Sequence, residues 1–206
     1  MRPFPFSDVS EFQSFKKFNT PAKVQDFLNT LPINFEQDGE TCSSPLATLA
    51  HGMAHCFEGA VLAAGIFWYH GRPPLLFDLE TTDKDEPHVV ALFRESGYWG
   101  AVSKTNHGVL RFRDPIYKSL RELALSYFHE YFLDSGEKTL CRYSKNPFTL
   151  LDFEDDWLTA EYPIWGVHDA LAFARHTLIA PKRALARLRR ADNIEISAGK
   201  LTEWKE

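Results

Sequence analysis

The chain of 206 residues has little cysteine: Cys42, Cys56 and Cys141 are the only three. So sparse and odd a set does not make a disulfide framework, so the fold has to rest on an apolar core and a thiol is left free for chemistry. There is no excess of positive charge. Lysine and arginine number 23 against 28 acidic residues, for a formal charge of −5, which argues against a nucleic-acid-binding face. No stretch approaches the roughly 20 apolar residues of a membrane-crossing helix. The longest apolar window, around residues 60–69, is closed by His70-Gly71. The opening Met1-Arg2-Pro3-Phe4-Pro5 has no apolar stretch of the secretory kind, so a reducing, cytoplasmic setting is expected. Internal repeats and low-complexity linkers are absent as well. What the chain does have is core material: 44% hydrophobic residues and 17 phenylalanines, enough for one packed domain over 1–206.

Helix signals come first along the chain. Thr20-Pro21 reads as an N-cap followed by proline at the first helical position, with Val24, Phe27, Leu28 and Leu31 at helical spacing behind it. Ser44-Pro45 repeats that signal. Gly52 interrupts the run, and a new alanine-rich helix is expected from about Cys56 to Gly71. Strands follow at 74–79, 88–94 and 98–103, the last two joined by a tight Ser96-Gly97 turn. Residues 109–113 alternate like a further strand ended by Asp114-Pro115. Residues 118–133 read as a helix with an aromatic face, and 181–191 as a basic amphipathic helix, a solvated face or a partner contact rather than a nucleic-acid or membrane contact. Helices, then an antiparallel meander, then helices is α+β logic. The core is expected over about 20–133, with a helical C-terminal extension over about 134–206.

Two residues stand where chemistry would use them. Cys56 opens a helix, where exposed N–H groups and the helix dipole favour the thiolate. His88 opens a strand after the acidic loop Asp83-Lys84-Asp85-Glu86-Pro87, and a histidine there could take the thiol's proton. Taken singly, each has a plainer explanation: a free cysteine is usually a small buried hydrophobe, and a strand-end histidine usually finds a backbone partner.

The layout resembles the transglutaminase-like superfamily, whose fold is shared with papain-like thiol enzymes. In that pattern a cysteine starts the central helix, with small residues following. A histidine opens a strand, and after a glycine turn come a tryptophan and an aspartate on the returning strand. Cys56, Glu58, Gly59 and Ala60 match the helix opening; Ala63, Ala64 and Gly71-Arg72-Pro73 its continuation; His88, Ser96-Gly97 and Trp99 the hairpin. The match covers about residues 20–115. The resemblance implies a Cys-bearing central helix packed on an antiparallel sheet, with extra C-terminal helices.

One position departs from the pattern. Ser103 stands where the family aspartate would fall, and Asn106 lies just beyond it. Either is a candidate for the third group that orients His88. Trp99 and His55 are candidates for the substrate groove. His51 and His55, spaced i, i+4, raise a metal site as a lesser possibility, though zinc needs three or four convergent ligands. The resemblance implies acyl transfer on an amide or peptide through a Cys56 thioester, hydrolysis being favoured over transamidation, with no cofactor and with a peptide, protein or small amide as partner. The missing aspartate keeps open an inactive binding or scaffold protein.

Overall fold

A computed structural model of the chain describes residues 1–205. A 3₁₀ turn over Glu11–Lys17 places Phe12 and Phe15 in the core. Helix α1 (Pro21–Thr30) starts as its sequence dictates: the Thr20 side chain accepts from the Lys23 N–H, and Pro21 needs no N–H partner there. Helix α2 (Pro45–His51) has the same start at Ser44 and stops at Gly52 in the left-handed conformation. The chain resets through an extended His55 and enters α3 (Cys56–Tyr69), in which every residue from Phe57 to Trp68 is buried. Such a helix, apolar all round, belongs in the middle of the molecule.

The strands are β1 (Leu75–Thr81), β2 (His88–Glu95), β3 (Tyr98–Ser103) and β4 (Arg113–Tyr117). After α4 (Leu120–Phe128) come β5 (Leu140–Ser144), β6 (Phe148–Thr149), α5 (Trp165–Ala172), β7 (His176–Leu178), α6 (Lys182–Leu185) and α7 (Asn193–Gly199). They build a seven-stranded sheet in the order β4-β3-β2-β1-β5-β7, with β6 beside β1. Every pairing in it is antiparallel. The fold is therefore mixed α+β, with helices on both faces of an antiparallel sheet. Val89, Ala91 and Phe93 pack with α3, while Val90 and Leu92 pack with Leu123, Ala124 and Tyr127 of α4. Burial on both faces explains why Val89-Val90-Ala91-Leu92-Phe93 shows no polar alternation. The β2–β3 turn has positive φ at Ser96 (49°) and Gly97 (87°), as a tight two-residue hairpin requires.

Three expectations are corrected. Residues 109–112 are not a strand. Pairing starts at Arg113, because Leu110 sits at a φ of 60° with its N–H and carbonyl turned to side chains. Pro115 then lies within β4, which is tolerated because β4 is a sheet edge. The region after residue 133 does carry helices, α5 to α7, but it is not a separate appendage. It supplies β5, which lies against β1 inside the sheet, and β7, whose His176 Nε2–H donates to Asp78 Oδ2 of β1 at 2.9 Å. The basic stretch 181–191 is helical only over Lys182–Leu185. Among the described residues no helix is long and apolar enough to cross a membrane.

Candidate active site

Cys56 is the first residue of a helix 14 residues long and is partly exposed. Its position is fixed from within α3. Gly59, one turn on, lets the segment just after β3 come so close that a Cβ there would fall 2.4 Å from Lys104 Cβ. Lys104 then runs past the start of α3, and its Nζ donates to the Leu31 carbonyl. Gly59→Ala is accordingly expected to destabilise by about 1–3 kcal/mol, as overpacking does. The crowded atom sits at the root of the lysine side chain and cannot swing aside. A urea midpoint equal to that of the unaltered protein would contradict this.

His88 is the first residue of β2 and Ser103 the last of β3. The register pairs Val90 with Ser103. With a side-chain period of two, His88 shares Val90's face and is the diagonal neighbour of Ser103. The contact follows: His88 Nε2 and Ser103 Oγ are 2.7 Å apart. Ser103 Oγ also donates to the Leu110 carbonyl at 2.5 Å. Its single hydrogen being spent there, the hydroxyl accepts from His88 Nε2–H, which leaves Nδ1 free. Each member of this chain is held in turn. Gln25 of α1 clamps the backbone of Ser103, accepting from its N–H at 2.9 Å and donating to its carbonyl at 2.8 Å. Glu130 accepts from the Leu110 N–H at 2.8 Å and from Arg113 at 2.6 Å.

The Cys56 thiol faces two imidazoles. Burial pushes its pKa up, but hydrogen bonds from His55 and His88 and their positive charge outweigh that and hold it down at about 5. The other two thiols behave oppositely. Burial drives Cys42 up to about 12 and raises Cys141. Ionisation at neutral pH thus singles out Cys56.

The remaining site candidates separate. Asn106 does not reach His88. Its side chain donates to the Trp204 carbonyl at 3.1 Å and accepts from the Trp204 N–H at 2.8 Å, fastening the C-terminal segment instead. Trp99 lies at the far end of β3, with the Arg94 guanidinium 5.2 Å above its ring, and takes no part in the cleft. His55 bonds the thiol but does not line the cleft. His51 is exposed, and among the described residues no group of three His, Cys, Asp or Glu side chains is placed to hold a metal ion.

Cys56 and His88 open onto a cleft of about 420 Å³. Its walls come from the loop before β2 (Asp85, Glu86), the loop after β3 (Lys104, Leu110), Tyr131 after α4, and Ile196 of α7. The volume suits an amide-sized group with its flanking atoms. Lys104 is buried, and desolvation lowers its pKa to about 8. Gln25, Glu58, Lys104 and Glu130 were not singled out as site residues on sequence. A Glu three residues after an N-cap is the sequence signal for Glu58, though its donors are not legible; nothing in the sequence marks the other three. No protein-family model and no curated protein matches the chain.

Proposed function

We propose that this chain is a thiol enzyme of the transglutaminase-like, papain-like kind, transferring the acyl group of an amide or peptide through a Cys56 thioester, with water as the acceptor. The observation that carries the reading is the Cys56 thiol at the start of α3, opening onto the same cleft as a histidine that Ser103 orients, with the thiol's pKa held below its ordinary value by the two imidazoles beside it. The thiolate adds to the carbonyl carbon, and the Cys56 N–H at the helix N-terminus is placed to stabilise the oxyanion. The C–N bond then breaks, and the His88 imidazolium gives its proton to the departing amine. Neutral His88 next takes a proton from water as the hydroxide adds to the thioester. The thioester collapses to a carboxylic acid, and the thiolate returns. Hydrolysis is preferred to transamidation because water needs no second binding site.

The neutral hydroxyl at position 103 supports the other reading, a scaffold that no longer catalyses. One experiment separates them. With 4-nitrophenyl acetate as an acyl donor, the enzyme reading expects a stoichiometric burst of nitrophenolate, an acetyl group on Cys56 by peptide mass spectrometry, and slow turnover. Cys56→Ala should lose the burst and the label together. Acetylation spread evenly over the three cysteines, or none at all, would end the enzyme reading.

A further inference from the structure

The carboxylates of this site stand behind the wrong histidine for a simple Cys–His–acid arrangement. Behind His88 there is only the Ser103 hydroxyl, itself tied to the uncharged Leu110 carbonyl. Behind His55 there are two acids: Glu58 Oε2 lies 3.7 Å and Glu36 Oε1 3.8 Å from His55 Nε2.

Glu58 is the more telling of the two, being only 1% exposed. Its oxygens accept from the Ser43 N–H at 3.1 Å, the Thr41 hydroxyl at 2.9 Å, the Asn34 amide at 3.2 Å and the His55 N–H at 3.2 Å. Four donors define an anion, and none of them is charged. A buried carboxylate needs a countercharge, and the His55 ring is the cation in reach. The ring is also oriented. Its Nε2 lies 3.1 Å from the Thr41 carbonyl, which can only accept, so Nε2 carries hydrogen and Nδ1 is left for the adjacent thiol.

We infer that His55 is a positioning residue carrying the fixed positive charge that keeps Cys56 ionised, while His88 alone moves protons. The two tasks that one imidazole performs in a single-histidine site are divided between two rings. Burial works against protonating His55, but Cys56, Glu58 and Glu36 outweigh it and hold its pKa up at about 9. A proton gripped by three anions is a poor one to give to a leaving amine near neutral pH. His88, backed by a neutral hydroxyl, can both give and take.

The other groups facing the pair do not supply the charge. Tyr131, next to the cleft, is kept neutral by burial. Lys104 points its Nζ at Leu31. The consequence for catalysis rests on the thiol-enzyme reading, but the charge assignment does not.

The test reads ionisation, not turnover. The rate of Cys56 alkylation by iodoacetamide is followed against pH, by peptide mass spectrometry, in the unaltered protein, His55→Gln and His88→Gln. The expected midpoint is about 5 in the unaltered protein. It should rise by about two pH units or more in His55→Gln, and by a smaller amount in His88→Gln, whose ring also bonds the thiol. An unmoved midpoint in His55→Gln, or a larger rise in His88→Gln, overturns the inference.

Two further measurements guard against a misfolded variant. Glu58→Gln keeps His55 and should raise the midpoint in the same direction. In the unaltered protein, ¹⁵N spectra of the histidine rings should show a ring, distinct from the Asp78-paired His176 and lost in His55→Gln, that stays doubly protonated at pH 8. Neutral rings throughout at that pH would also overturn it. Failure of the enzyme reading would appear separately, as nitrophenyl acetate that leaves no acetyl on Cys56 while the alkylation profile stands.

Discussion

His88→Ala should leave the nitrophenolate burst in place and slow the steady state that follows it by about 10²–10⁴-fold. The two phases ask different things of the site. The burst needs a thiolate, and His55 with its carboxylates supplies the charge for one. The steady state needs a base for water, and of the two imidazoles that bond the thiol His88 is the one that opens onto the cleft. Ser103→Ala is the comparison. It removes one hydrogen bond worth about 1 kcal/mol, so the steady state should fall by only about fivefold. Rapid-quench measurement of both phases checks this. A burst and steady state both unchanged in His88→Ala would remove His88 from the chemistry.

The gap between these two effects bears on the serine that stands where a carboxylate would be expected. A carboxylate behind an imidazole orients it and stabilises its cation. Ser103 can only orient. The cation-stabilising role has a different address in this chain, at Glu58 and Glu36 behind His55. The absence of an acid behind His88 is thus matched by acids behind His55 that act on the same sulfur.

That arrangement was only partly legible in the sequence. The start of α3 could be read because Gly52 forces a stop and the apolar, small-residue run resumes at Cys56. Ser103 could be placed beside His88 because the Ser96-Gly97 turn fixes the hairpin register and alternation does the rest. Asn106 stood as a rival only while the path of the loop after β3 was unknown; its partner, Trp204, lies 98 residues away in sequence. The Glu58 clamp was hidden for the same reason, its donors coming from the irregular segment before α2. The β5 strand escaped because Leu140-Cys141-Arg142-Tyr143-Ser144 is short and mixed in polarity, and its pairing with β1 spans the whole β2–α4 region.

The largest effect on stability is expected at Glu58. Its replacement by alanine strands the Ser43 and His55 N–H groups, the Thr41 hydroxyl and the Asn34 amide, and leaves the His55 cation without its buried partner. Breaking a buried charge pair from one side costs on the order of 3 kcal/mol. The cost should depend on pH in a way that a cavity alone would not. Burial raises the Glu58 carboxyl, but His55 and the hydrogen bonds outweigh it and leave its pKa below the ordinary carboxylate value. The stability it contributes is therefore present above the ordinary value of about 4.3 and is lost as pH falls through the depressed one. His55 is raised, so its contribution is complete below the ordinary imidazole value of about 6.5 and is lost as pH climbs through about 9. Both conditions hold between about pH 5 and pH 7, and there the gap between Glu58→Ala and the unaltered protein should be widest. It should narrow in acid, where the unaltered carboxyl takes up a proton, and again in alkali, where the imidazole gives its proton up. Urea midpoints measured from pH 3 to pH 10 read this directly. A gap that stays constant across the range would mean that Glu58 acts through packing, and would take from His55 the countercharge that ties the start of α3 to the thiol it presents.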